Sequence, residues 1–320
     1  MVKIKYKKLA IAIKRTFTLL LIASAYFLLT NCSANGTEDK KPGIPVIVTT
    51  TGMIADAVKN IVKDSAQVIS LMGPGVDPHL YKATQGDLGR LTNADFIFYN
   101  GLHLEGKMGD VLEKLSRQKK VVAVAEYIEK DRLIKNATFQ GSYDPHVWFD
   151  VTLWKEVVNK INQTLMAADT SRSEYYAANA SAYLNRLDSL HLAVSQEISS
   201  IPESQRVLIT AHDAFSYFGR AYNIEVKGLQ GISTVAEYGL RDVSDLVNFI
   251  IEHKIKSVFV ETSVSERSIK AVVAGVNEKG HKINIGGSLY SDAMGPERTD
   301  EGTYIGMVGA NVATIVKGLK

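Results

Sequence analysis

The sequence predicts an α/β protein of two lobes, each a parallel sheet with flanking helices, joined by one long connecting helix. Three observations carry that expectation. Short apolar runs alternate with helical patterns in both halves of the chain, the order expected of βα units. Between the halves, from about 152 to 201, no strand pattern occurs and two helical stretches fill the gap. At 320 residues, 46% hydrophobic and 22% charged, the chain can bury more than one core, and its composition is not that of a disordered protein.

The amino terminus has the form of an export signal over residues 1–31. A basic stretch (Lys3, Lys5, Lys7, Lys8, Lys14, Arg15) precedes the apolar run 17–29. As a helix that run would span only about 20 Å, short of a roughly 30 Å hydrocarbon core, so cleavage is expected rather than a permanent anchor. Leu28-Leu29-Thr30-Asn31-Cys32 resembles a bacterial lipobox, with Asn31 where a small residue is usual, and Cys32 is the expected lipidation site. Cys32 is also the only cysteine, which excludes disulfides and thiolate metal sites from the rest of the chain. Residues 32–42 read as a polar tether. The formal charge of +3 comes from the leader: beyond residue 31 there are 31 basic against 34 acidic side chains, which gives no reason to expect a nucleic-acid partner.

In the first half (43–172) strands are expected at 46–51, 67–71, 95–99 and 121–124, with helices at 53–62, 86–92 and 108–115. A helix at 153–166 follows. The next, 173–199, lies within a connecting segment 173–200 and could be capped by Asp169 or Ser171. Tyr176, Ala180, Tyr183, Leu184, Leu187, Leu190 and Val194 recur along it at spacings of three and four, one apolar stripe on a rod about 40 Å long. In the second half (201–320) strands are expected at 207–210, 225–229, 257–260 and 282–285, and helices at 214–221, 240–253, 266–276 and 303–317.

Chemistry is expected where loops follow strands, because such loops gather at the carboxyl edge of a parallel sheet. Four candidate metal ligands stand there: His79, His146, His212 and Asp292. Three imidazoles and a carboxylate suit a first-row transition metal. Asp-Pro-His occurs twice, as Asp77-Pro78-His79 and Asp144-Pro145-His146; proline stiffens each turn, and the carboxylate could accept the outer ring N–H of its histidine. One such tripeptide would more often be a surface turn, but two in one lobe favour function. Alone, His212 would read as a helix-start residue beside Asp213, and Asp292 as ordinary loop chemistry between Gly286-Gly287 and Gly295. Glu261, closing a strand, is a candidate outer partner, and His103 a weaker reserve. His191, His253 and His281 carry bland structural readings. No Walker A loop, GxSxG elbow, HExxH helix or dinucleotide GxGxxG occurs.

Four segments together resemble one family: Asp144-Pro145-His146-Val147-Trp148-Phe149-Asp150-Val151, Thr210-Ala211-His212-Asp213-Ala214-Phe215-Ser216-Tyr217-Phe218, Gly228-Leu229-Gln230-Gly231-Ile232-Ser233 and Tyr290-Ser291-Asp292-Ala293-Met294-Gly295. The chain from about 45 to 319 is similar to the TroA-like solute-binding proteins of ABC transporters that import zinc or manganese. The resemblance implies a monomeric, lipid-anchored receptor in the bacterial cell envelope, on the extracytoplasmic (periplasmic) side. It implies that His79, His146, His212 and Asp292 hold Zn²⁺ or Mn²⁺ between the lobes for delivery to an ABC permease in the plasma membrane. Manganese-dedicated members tend to place Glu where this chain has His212, and many zinc-dedicated ones carry a His-rich acidic loop that is missing here. Two rival expectations are a zinc hydrolase using the same histidines, with Asp292 or Glu261 as general base, and a surface adhesin with a structural metal.

Overall fold

The computed structural model describes residues 43–136 and 141–320; the expected signal peptide 1–31, the tether 32–42 and Cys32 lie outside the described residues. The first lobe runs β1 (Val46–Thr49), α1 (Gly52–Val62), β2 (Gln67–Ser70), α2 (Gln85–Asn93), β3 (Phe96–Tyr99), α3 (Gly109–Ser116) and β4 (Lys120–Ala123). The four strands pair in parallel in the order β2-β1-β3-β4. Chain order reverses about β1, so the loops leaving β1, β2 and β3 open a crevice at their carboxyl ends, the place where such sheets bind ligands.

Two helices then pass between the lobes. α4 (Val151–Ala168) starts at Asp150, whose carboxylate accepts the Thr152 and Leu153 backbone N–H groups. α5 (Ser173–Ser199) is the predicted rod, and Tyr176, Ala180, Tyr183, Leu187, Leu190, Val194 and Ile198 are its buried face. Asp169 does not cap this helix directly. It accepts from Arg172 N–H at 3.2 Å and so closes the 3₁₀ turn Thr170–Arg172 that leads into it.

The second lobe runs β5 (Val207–His212), α6 (Ser216–Tyr222), β6 (Glu225–Gln230), α7 (Leu240–Glu252), β7 (Ser257–Glu261), α8 (Arg267–Glu278), β8 (Asn284–Leu289) and α9 (Tyr304–Leu319). β5 pairs in parallel with β6, and β7 with β8, while β5 and β7 lie side by side. The last strand departs from expectation: it begins at 284 rather than 282 and continues to 289, taking in Gly286 and Gly287, which sequence reasoning assigned to a loop. The reason is packing. A Cβ on Gly286 would stand 2.8 Å from Phe259 Cε1, and one on Gly318 2.7 Å from Phe259 Cζ. These glycines are small because a phenylalanine ring lies against them.

α5 packs on α1 and α4 from the first half and on α6 and α9 from the second. One apolar cluster follows it through both lobes, from Ile47 and Met53 to Leu208, Phe259 and Ile315. Each fully buried Leu, Ile, Val or Phe stabilises the fold by about 1.5–3 kcal/mol relative to exposure. Two smaller clusters fill the outer layer of each sheet. Among the described residues no helix is long and apolar enough to cross a membrane.

Candidate metal centre

His79, His146, His212 and Asp292 converge: each offers one donor atom, and these atoms lie within 4.8 Å of one another. All four residues are buried, His146 and His212 completely. His79 Nε2 is 3.3 Å from His146 Nε2. Asp292 bridges the other two rings, Oδ1 at 3.3 Å from His146 Nε2 and Oδ2 at 3.3 Å from His212 Nε2. Zinc–nitrogen bonds of about 2.0–2.1 Å at tetrahedral angles set neighbouring donors roughly 3.3–3.4 Å apart, which is the spacing of these pairs.

Each of the four donor positions has its own support. His146 stands on the second Asp-Pro-His turn, where Asp144 Oδ1 accepts both its backbone N–H (2.9 Å) and its ring Nδ1–H (2.7 Å). The turn is pinned from the neighbouring strand: Asn100 Nδ2 donates to Pro145 O at 3.0 Å. Asn100 and Gly101 in turn donate their backbone N–H groups to the buried Glu105, which also accepts the Thr50 hydroxyl at 2.6 Å. Glu105 belongs to no motif in the sequence; its burial raises its pKa, and its role emerges only from the fold.

His212 ends β5, and Glu261 ends the adjacent β7. Glu261 accepts the His212 backbone N–H at 2.9 Å and the ring Nδ1–H at 2.6 Å. A carboxylate on Nδ1 fixes that nitrogen as the protonated one and directs Nε2 to the centre. Gly228 on β6 makes room here, since a Cβ would fall 2.5 Å from Asp213 N. Asp292 follows β8 and is held beside Trp148, whose Nε1–H donates to Ser291 O at 3.0 Å.

The first Asp-Pro-His turn differs. Asp77 Oδ1 accepts the His79 backbone N–H at 2.8 Å, but its Oδ2 accepts the Thr234 hydroxyl rather than a ring proton. Among the described residues no carboxylate meets the outer nitrogen of His79. Sequence reasoning gave both turns the same orienting role, and the geometry gives it to Asp144 alone. His79 also borders a cavity of about 380 Å³ shared with His103, Tyr143, Pro145, Ile232 and Ser233. His103 is outside the donor cluster. The remaining histidines make ordinary bonds: His191 to the Tyr222 hydroxyl, His253 to Phe249 O and His281 to Ile255 O.

The electrostatics are those of a cation site holding protons. Burial pulls His146 down, but the Asp144 and Asp292 carboxylates outweigh it and carry its pKa up to about 9. His212, buried against Glu261 and Asp292, is raised likewise. Burial pushes Asp292 up, and the two imidazolium neighbours more than reverse this, holding it well below its ordinary value. His79 goes the other way: burial first, then its histidine neighbours, lower it to about 3 against the pull of Asp292. Both Asp292 oxygens and His212 Nε2 are buried without an aligned hydrogen-bond partner. Unpaired buried polar atoms are costly unless something compensates them, and a divalent cation at their common centre would.

The chain is similar to known proteins over most of its length. The family model described as zinc-uptake complex component A, periplasmic, matches residues 47–318. The manganese-binding lipoprotein MntA of Bacillus subtilis is 51% identical over 296 residues, 92% of this chain and 96% of that protein. The zinc-binding protein TroA of Treponema pallidum is 48% identical over 277 residues, 87% of this chain and 89% of that protein. The solved structure of the periplasmic zinc-binding protein TroA from Treponema pallidum superposes with a TM-score of 0.85 at 48% identity, covering 87% of this chain and 99% of that one.

Proposed function

The chain belongs to the family of periplasmic zinc-uptake component A, and on that premise we propose that it is an extracytoplasmic receptor for Zn²⁺ or Mn²⁺ that hands its cargo to an ABC permease. It acts as a transport receptor, not as an enzyme. His79 and His146 from the first lobe (43–172) and His212 and Asp292 from the second (201–320) are the ligands, with α5 as the strut. Asp144 and Glu261 orient the rings of His146 and His212. Cys32 carries the lipid that keeps the receptor at the membrane surface.

The observation that carries this reading is the convergence of four buried donors from four widely separated segments of the chain, within 4.8 Å of one another. Four protein donors fill a tetrahedral shell and leave no coordination position for an activated water, which separates a carrier from a hydrolase. Three nitrogen donors favour Zn²⁺ over Mn²⁺ in intrinsic affinity, since stability rises along the series toward copper and zinc lies well above manganese. The related proteins include one named for manganese and one for zinc, so cellular supply rather than affinity would decide the cargo.

The test is isothermal titration of Zn²⁺ and Mn²⁺ into wild type, His146→Ala and Asp292→Ala. The variants are expected to stay folded without metal and to lose tight binding. Wild-type-like affinity in either would end the assignment of that ligand.

A further inference from the structure

The lobes are joined unequally on the two sides of the metal centre. On the His146 side the contacts are buried and redundant. Trp148 Nε1–H donates to Ser291 O at 3.0 Å, the Tyr304 hydroxyl to Trp148 O at 2.7 Å, and the Tyr217 hydroxyl to Asp144 O at 2.9 Å. The Tyr217 oxygen also accepts the Ile134 backbone N–H at 3.0 Å. His146, His212 and Asp292 therefore sit in one block, with the His146 and His212 rings clamped by carboxylates.

On the His79 side the hydrogen bonding is single. Among the described residues, one hydrogen bond joins loop 72–84 to the second lobe: the Thr234 hydroxyl donates to Asp77 Oδ2 at 2.6 Å. The other oxygen of the same carboxylate holds the His79 backbone N–H. Thr234 is itself tied back, because Gln230 Nε2 donates to Thr234 O at 2.8 Å, and Gln230 pairs with His212 in the β5–β6 register. A continuous path thus runs from His212 through Gln230, Thr234 and Asp77 to His79. Both Thr234 and Asp77 are partly exposed, where water competes for the bond. His79, with no carboxylate on its outer nitrogen, borders the 380 Å³ cavity into which its ring could turn.

We propose that the Thr234 hydroxyl is a latch across the lobes: through Asp77 it holds His79 on the metal and sets how fast the ion leaves. Thr234 touches neither metal nor His79, so it is a positioning residue. Breaking its bond frees the first-lobe loop while His146, His212 and Asp292 stay in place, so release begins by losing His79. This inference rests on the receptor reading above and adds the residue that controls exchange.

The experiment follows Zn²⁺ release from the loaded full-length protein into excess chromogenic chelator by stopped flow. Thr234→Val removes the donor at nearly constant volume, Thr234→Ser restores it, and both are also made in an Asp77→Ala background. Thr234→Val is expected to release zinc about tenfold faster or more, the scale of a lost hydrogen bond to a charged group. Thr234→Ser should stay within about twofold of wild type, and Thr234→Val should add little once Asp77 is alanine, as for two residues acting through one bond. Should the valine variant not fold, Thr234→Ala takes its place in the same cycle. Stoichiometric zinc uptake with a wild-type release rate in Thr234→Val would overturn the latch. So would a serine variant as fast as valine, or additive effects of the two sites. Wild-type protein that takes up no zinc would sink the receptor reading itself, and the latch with it.

Discussion

At the metal centre the four donors are only part of the machinery, because a partner on the outer nitrogen of an imidazole fixes its tautomer and raises its basicity. Glu261 does this for His212 with two bonds, to the backbone N–H at 2.9 Å and to Nδ1 at 2.6 Å. Glu261→Gln keeps the shape but loses the charge and one acceptor. It should lower zinc affinity by about 10–100-fold, the usual effect of losing such a partner. Competition against a chelator of known affinity reads this directly, and an unchanged constant would remove Glu261 from the site's workings. The protons of the empty site give a second expectation. With His146 raised to about 9, its ring is charged near pH 7.5, and His212 is raised in the same direction, whereas a bound metal requires neutral rings. Zinc uptake at that pH should therefore release protons, and affinity should climb as pH approaches about 9. The sign for the empty fold is opposite: a raised histidine stabilises it fully below 6.5 and loses that contribution as pH rises through about 9. Calorimetry in buffers of different ionisation enthalpy measures the release, and a buffer-independent heat would contradict it. At this scale the four donors were legible in the sequence, because each stands in or beside a glycine-, proline-, serine- or aspartate-containing loop after an apolar run. Thr234 was not, since its partner is 157 positions away and no local pattern marks it.

Among the elements, α2 shows how a loop bearing one of the four donors is anchored. His79 lies five residues before Thr84, where a reciprocal capping box starts the helix. Asp87 N–H donates to Thr84 Oγ1 at 3.2 Å, and Thr84 N–H donates to Asp87 Oδ2 at 2.9 Å. Tyr81 adds its hydroxyl to the same carboxylate at 2.6 Å, so the segment between ligand and helix is tied to the cap. Thr84→Ala should cost about 1 kcal/mol of stability, the common value for an N-cap, readable from urea unfolding; a loss below about 0.3 kcal/mol would mean the cap is dispensable. Burial pushes Asp87 up, but the Thr84 and Tyr81 hydrogen bonds and the Arg90 cation leave it below 3.8. The cap's charged contribution is thus present above pH 3.8 and lost as pH falls through the lower native value. Strand and helix order was readable throughout, because alternation of period is a local signal. The edges of β8 were not: glycine reads as a loop in one dimension, while at Gly286 it is small to admit the Phe259 ring. Glu105 escaped for a similar reason, being a lone acid whose three donors come from β1 and β3 loops that meet only in the folded sheet.

For the whole molecule the decisive feature is one apolar cluster running the length of α5 through both lobes. Two lobes sharing a core should unfold together, so the metal-free protein is expected to melt in a single calorimetric transition. A zinc ion held by the four donors would add a tie between them at the crevice without replacing that core. Its contribution follows mass action: free zinc at a thousand times the dissociation constant stabilises the folded state by about 4.1 kcal/mol. The midpoint shift per kcal/mol shrinks with chain length and is just under about 2 °C for a fold of this size, so saturation should raise it by roughly 7 °C. His146→Ala should abolish the shift and also lower the metal-free midpoint, because the buried ring packs against Trp148 and pairs with the Asp144 carboxylate. Two resolved transitions without metal would show that α5 does not fuse the lobes. A zinc-induced shift that survives His146→Ala would show that the ion stabilises the molecule from somewhere else.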